Sequence, residues 1–341
     1  MLYHLLRLAA EAWDVVASGI RRMFTRRLTV SVHERSPSDA IYSRCIVLCA
    51  FQETPRPDLL ALLRRFKASS YHVVVASATA AARQYAEVAD AVITLTPAGR
   101  DFAAYQQAYR WLREKLTGDR AGIGFLNDSC WYFEKYHDDL VTRISRGLDE
   151  RALVAGTMIL DEVPHVSGWL FAVPFDARTQ PELDRLFERN FARKSRQYNI
   201  RIGEHRILPT IRSVSAVRPL VATGSVPAVS YCYEALMSGA PCPYLKADAV
   251  MRTDPTRARL QEFLDINTSA ADRDAVLRWT ATRSAGLLRS HLRMREMREY
   301  RKQCFPVSVP LARDGVPRGP WDEAHLTVQR PSTERRTIAR T

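Results

Sequence analysis

The chain has 341 residues, 46% of them hydrophobic and 26% charged, which is enough apolar material for a substantial core and argues against a disordered polymer. Lys and Arg outnumber Asp and Glu by 50 to 37, and the resulting net charge of +13 favours anionic partners such as nucleotides, phospholipid headgroups or nucleic acid without choosing among them. No run reaches the roughly 18 to 20 apolar residues of a membrane span, and the six cysteines contain no CxxC pair, so neither an integral membrane protein nor a cysteine-held metal finger is expected.

Residues 1–40 read as an amphipathic helix and a linker. Leu2, Leu5, Leu6, Ala9, Trp13, Val16, Ile20 and Phe24 recur at helical spacing, and Glu11 and Asp14 interrupt the apolar run that a signal peptide would need. Two uses of this helix stay open. It packs on the chain's own core or a second copy, or it lies on an anionic membrane with Arg21, Arg22, Arg26 and Arg27 toward the lipid.

Residues 41–265 read as one α/β domain. Cys45 to Phe51 form a buried strand, and Pro57 opens a helix whose Leu59, Leu62, Leu63 and Phe66 keep the helical period until Ser69-Ser70. Val73 to Val75 give a second strand, Ala80 to Val88 a helix, Ala91 to Ile93 a third strand, Phe102 to Leu116 a helix and Ile123 to Leu126 a fourth strand. Strands alternating with helices at this spacing predict a doubly wound, mostly parallel sheet. Beyond Ser129 the pattern becomes mixed: a helix near Phe133 to Ile144, apolar runs at Leu153 to Ala155 and Trp169 to Val173, and helices from Pro181 to Phe191 and Tyr231 to Met237. Residues 266–305 form a basic helical extension, and residues 306–341 read as a disordered tail. The scattered thiols fit a reducing, cytoplasmic compartment.

A doubly wound sheet binds ligands beyond the carboxyl ends of its strands, and two polar clusters fall there: Gly99-Arg100-Asp101 and Asn127-Asp128-Ser129. An arginine fork can pair with phosphate oxygens, and a carboxylate can hold a ribose hydroxyl or a cation bridging a diphosphate. Gly99 taken alone is better read as a turn glycine, and Asp101 and Asp128 are equally caps for the helices that follow them.

The segments Gly99 to Tyr105 and Phe125 to Ser129 resemble the rhamnan synthesis protein F group of bacterial polysaccharide glycosyltransferases. His165-Val166-Ser167-Gly168-Trp169 is similar to a His-x-Gln-Ser-aromatic segment of that group, and Tyr233-Glu234-Ala235-Leu236 with Gly239, Pro241 and Lys246 resembles a later block; together the likenesses span residues 45–251. The group is similar in layout to the inverting GT-A enzymes, in which a nucleotide-binding α/β half joins an acceptor-binding half. The resemblance implies a nucleotide-diphosphate sugar donor, a lipid-linked or growing surface glycan as acceptor, a deoxyhexose such as rhamnose as the sugar, and work at the inner face of the cell membrane. It implies donor binding by Gly99, Arg100, Asp101, Asn127, Asp128 and Ser129, with Mg²⁺ or Mn²⁺ on Asp128, although an Asp-x-Asp motif is replaced here by Asn127-Asp128-Ser129. Gly203-Glu204-His205-Arg206-Ile207-Leu208 is similar to the Gly-Glu-Asp-x-x-Leu segment that supplies the base, which nominates Glu204, and His165 becomes an acceptor-side candidate. Read without the family, Glu204 is a surface carboxylate among arginines and His165 a loop histidine. Two other functions remain on this sequence: a non-catalytic nucleotide-sugar or polysaccharide binding protein of the same fold, and a scaffold gripping nucleic acid through the Arg-rich segment, the latter disfavoured.

Overall fold

Strand β2 (Arg44–Ala50) is apolar after its first residue, and Cys45 to Ala50 are all buried because helices cover both faces of the sheet. The period-2 geometry of a strand divides it. Ile46, Leu48 and Ala50 enter the core on one side, Cys45, Val47 and Cys49 the core on the other. The computed structural model describes residues 29–35, 41–52, 56–77, 85–96, 101–118, 120–159, 165–188, 191, 199–222, 232, 235–236, 241–246, 249, 257–269 and 272–280.

Strands β3 (His72–Ser77) and β4 (Ala91–Thr96) extend outward from β2 in parallel, and β5 (Gly122–Asn127) joins β2 in parallel on its other side. The β4 edge is closed by antiparallel β1 (Thr29–Glu34). Past β5 the sheet is mixed. Strand β9 (Leu170–Pro174) runs antiparallel to both β5 and β7 (Ala152–Ile159), β8 (His165–Val166) pairs antiparallel with β7, and β10 (Ala216–Ala222) lies parallel to it. The full order is β1-β4-β3-β2-β5-β9-β7-β10. A second, two-stranded antiparallel sheet pairs β6 (Cys130–Tyr132) with β11 (Tyr244–Lys246).

Helices α1 (Pro57–Ala68) and α2 (Asp101–Leu112) cover opposite faces of the large sheet; α3 (His137–Asp149) joins the α1 side, and α4 (Gln180–Phe187) and α5 (His205–Ile211) the α2 side. Helix α6 (Arg257–Asn267) and a helical stretch at 272–280 add Phe263, Leu264, Val276 and Trp279 to the α1-side core. This is a mixed α/β fold with a mostly parallel central sheet. Because β3 and β4 lie to one side of β2 and β5 to the other, the winding reverses between β2 and β5, which is where an open α/β sheet leaves a crevice at its carboxyl edge.

Several expectations change. Residues 85–88 make a turn rather than a helix end, and the helix expected from Phe133 begins as a 3₁₀ turn, Glu134–Tyr136, before α3 runs on to Asp149. The boundary expected after residue 265 cuts through α6, and the described start of the basic extension is integral to the fold, with Trp279 6% exposed. The N-terminal helix over residues 1–24, residues 281–305 of the extension and the tail at 306–341 lie outside the described residues. Among the described residues no helix is long and apolar enough to cross a membrane.

Candidate functional site

Strand β5 ends at Asn127, whose side chain organises the corner that follows. Its Oδ1 accepts from the Ser129 N–H at 3.0 Å and the Ser129 hydroxyl at 2.6 Å, which folds the chain back in an Asx turn. Its Nδ2 donates to Asp101 Oδ2 at 2.5 Å. The Asn127 N–H donates to the Trp169 carbonyl at 3.1 Å, and the Asn127 carbonyl accepts from the Tyr132 hydroxyl at 3.0 Å. An amide is required here, because the position must both donate to a carboxylate and accept from a hydroxyl.

The two polar clusters therefore meet through Asp101 and Asn127. Asp101 is the first residue of α2, half-buried at the head of the helix. Burial raises its pKa foremost and the nearby Asp128 charge adds to the rise, while hydrogen bonding at its own backbone and to the Asn127 amide, and the Lys246 ammonium, oppose it. Gly99 and Arg100 lie outside the described residues. Lys246, half-buried at the end of β11, stands in register opposite Cys130, the residue after Ser129.

Asp128 faces elsewhere. Its Oδ2 accepts from the backbone N–H groups of Phe51 at 2.7 Å and Gln52 at 2.9 Å, so the carboxylate ties the loop after β2 to the end of β5. The Asp128 carbonyl accepts from Gln52 Nε2 and Arg56 Nη1, each at 3.1 Å, and the residue is 2% exposed. The metal role expected of Asp128 does not fit these surroundings: the carboxylate is enclosed and serves the backbone. Among the described residues no group of three or more His, Cys, Asp or Glu side chains could hold a metal ion.

Arg56 reinforces this corner from beneath. It pairs with Asp58 at 2.8 Å, donates to the Cys130 carbonyl, and lies over the rings of Trp131 at 5.2 Å and Trp279 at 5.0 Å. Burial outweighs the arginine and lifts the Asp58 pKa to about 6. Neither Gln52 nor Arg56 is marked by the sequence, since their partners lie more than seventy residues away.

The other expected residues form a facing wall. Glu204 ends a π-helical turn, Ile200–Glu204, that leads into α5, a distortion often found where a side chain is presented for use. A Cβ at Gly168 would come within 3.1 Å of Glu204 Oε1 and 3.0 Å of the Phe102 ring, and one at Gly203 within 2.6 Å of that ring. Both glycines are needed for this close approach. His165, half-buried on β8, lies against His205 with ring centroids 4.3 Å apart. Wall and corner are joined covalently and by hydrogen bonds: Phe102 follows Asp101, and Trp169, next to Gly168, accepts from the Asn127 N–H. The Tyr105 hydroxyl adds a bond to the Gly168 carbonyl at 3.1 Å.

Asp101, Asn127, Ser129, Glu204 and His165 thus gather at one edge, while Asp128 serves as their scaffold. Lys246 and His205 are members that the sequence did not mark as site residues, although each sat within a quoted segment. Chemically, one corner offers an amide, a hydroxyl, a carboxyl and an ammonium, and the wall offers a second carboxylate beside two imidazoles. A search of protein-family models finds none that matches this chain, and no curated protein matches it.

Proposed function

We propose that the chain is a glycosyltransferase of GT-A-like fold, similar to the rhamnan synthesis protein F group, that moves a sugar from a nucleotide-diphosphate donor to a glycan or lipid-linked glycan. The observation that carries this reading is the bond between Asn127 Nδ2 and Asp101 Oδ2, which brings the two polar strand-end clusters together at the reversal of the sheet. A doubly wound half followed by a mixed half agrees with the donor and acceptor halves such an enzyme needs.

In this reading the corner of Asp101, Asn127 and Ser129 receives the donor's ribose and diphosphate, and Glu204 takes the proton from the acceptor hydroxyl. The hydroxyl oxygen forms its bond to the anomeric carbon as the bond to the diphosphate oxygen breaks on the opposite side, so the configuration inverts. His165, beside His205, would orient the acceptor. The sugar proposed is rhamnose or another deoxyhexose, and the working position the cytoplasmic face of the membrane.

A binding protein without turnover is the second reading, and the specific observation in its favour is that Asn127 and Ser129 already satisfy one another. Nucleic-acid binding through stacking on Trp279 draws less support, because that indole is covered against Arg56 and Trp131. A thermal-shift panel of nucleotide sugars, followed by a transfer assay on the donors that raise the melting temperature, tests the proposal. Stabilisation with release of free nucleoside diphosphate is the expected result. Stabilisation without release supports the binding protein, and no response to any donor rejects both.

A further inference from the structure

We infer that Lys246 supplies the positive charge that holds the donor's diphosphate, in the role that a divalent cation would otherwise fill. This rests on the proposed donor-binding reading and specifies how that site meets its anion.

The first support is the donor set. A magnesium or manganese ion bound to a diphosphate needs anionic oxygen ligands from the protein that point into the crevice. Asp128 is the carboxylate that the sequence pattern nominates, but its Oδ2 is bonded to two backbone N–H groups and its residue is enclosed. The position two before Ser129 carries an amide instead of a second carboxylate, and that amide donates to Asp101. Asp101 is left as the acidic group of the corner, and its Oδ2 already accepts from the Asn127 amide at 2.5 Å.

The second support is where the ammonium stands. Lys246 is in register with Cys130, so its backbone is fixed one residue past the Asn127–Ser129 turn. The preceding Tyr244 and Leu245 are fully packed, which anchors the strand that carries it. Its charge acts on Asp101 and Cys130, groups on two sides of the corner. A half-buried cation on the strand that flanks a corner carrying a carboxyl, an amide and a hydroxyl suits phosphate oxygens. The ammonium gives the charge and the hydroxyl and amide give direction.

The test is calorimetric titration of the full chain with uridine, guanosine and thymidine diphosphates, once in EDTA and once in Mg²⁺ or Mn²⁺. The expected result is binding of at least one of them with similar affinity under both conditions. Lys246→Met should weaken that binding on the order of tenfold or more, the loss of one charge-assisted contact, and Lys246→Arg should restore part of it. Binding that vanishes in EDTA overturns the inference while leaving the donor-binding reading intact, as does unchanged affinity in a folded Lys246→Met. The EDTA comparison uses the unaltered chain and stands even if that variant fails to fold. Absence of binding under either condition overturns the inference together with the reading it rests on.

Discussion

The corner after β5 and the wall that carries Glu204 are built on different terms. In the corner, Asp101, Asn127, Asp128 and Ser129 are each tied to a neighbour, and Arg56 and Gln52 tie the backbone from below. In the wall, Glu204 and His165 are half-buried side chains at the ends of short elements, with Gly168 leaving room for the Glu204 carboxylate and Gly203 for the Phe102 ring. Function and stability are therefore separable in the wall but not in the corner. Altering the wall should change chemistry and little else, whereas altering the corner should change the fold as well.

The sharpest separation is expected for Glu204→Gln, which keeps shape and removes the base. Transfer should fall by about 10²–10⁴-fold, the usual worth of a positioned general base, with the denaturation midpoint nearly unchanged. Full turnover in this variant would remove the base assignment, and a large drop in midpoint would show that wall and corner are not independent. Next in size is Arg56→Met beneath the corner. Removing one partner of a buried ion pair costs roughly 3–5 kcal/mol, and here it also strips donors from the Asp128 and Cys130 carbonyls. Urea unfolding reads it; a loss below about 1 kcal/mol, the scale of an exposed pair, would show that the corner does not depend on Arg56.

A pH experiment extends the comparison below the corner, to Tyr132. Its N–H donates to Asp58 Oδ2 at 2.9 Å, and its carbonyl meets His137 Nε2 at 3.0 Å. Burial raises Asp58 from 3.8 to about 6 and lowers His137 from 6.5 to about 4, the Arg56 charge and the Tyr132 bond respectively resisting each shift. The signs oppose one another. Between about pH 4 and 6 the folded state holds the Asp58 proton more tightly than the unfolded chain, so that stability is present at low pH and is lost as pH rises. Across much the same range the unfolded chain protonates His137 more readily, so that its contribution is present at high pH and is lost as pH falls. Each shift corresponds to roughly 3 kcal/mol as an order of magnitude, and together they should nearly cancel. Asp58→Asn is expected to expose a stability that climbs with pH over this window, and His137→Gln one that declines. Parallel pH profiles for wild type and both variants would contradict the assignment.

How far the sequence foretold this arrangement differs by half. Strands β2, β3, β4 and β5 are continuous apolar runs separated by a helix length, and a strand that ends abruptly in Asn127-Asp128-Ser129 advertises its corner. The second half hides itself for physical reasons. Strands β6 and β11 have three residues each, too few for a period to emerge, yet between them they hold Lys246 in place. Strand β10 contains Arg218 and Pro219, which argue against a central strand but suit the sheet edge it occupies. At the opposite edge, β1 alternates Val30 and Val32 outward, 39% and 38% exposed, and reads as linker. Asp128 was legible as important, but the reason was not. Its hydrogen bonds run to Phe51 and Gln52, and a contact across more than seventy residues leaves no local trace.

The mildest change is expected at Ser129, a corner group that serves the fold and, in the proposed reading, the ligand. The Ser129 hydroxyl donates to Asn127 Oδ1 at 2.6 Å, while the Ser129 N–H makes its own bond to the same oxygen. Ser129→Ala deletes the first and keeps the second, so the turn should persist at a cost of about 1 kcal/mol. In the proposed reading the hydroxyl also directs phosphate oxygens, so nucleoside diphosphate affinity should fall on the order of tenfold, whereas a change of less than twofold would assign the hydroxyl to the fold alone. That fall, accompanied by the same modest change in stability, would make it a phosphate ligand alongside Lys246. The corner would then be a site that holds itself together with the groups it lends to its substrate, and the boundary between corner and wall would be one of degree.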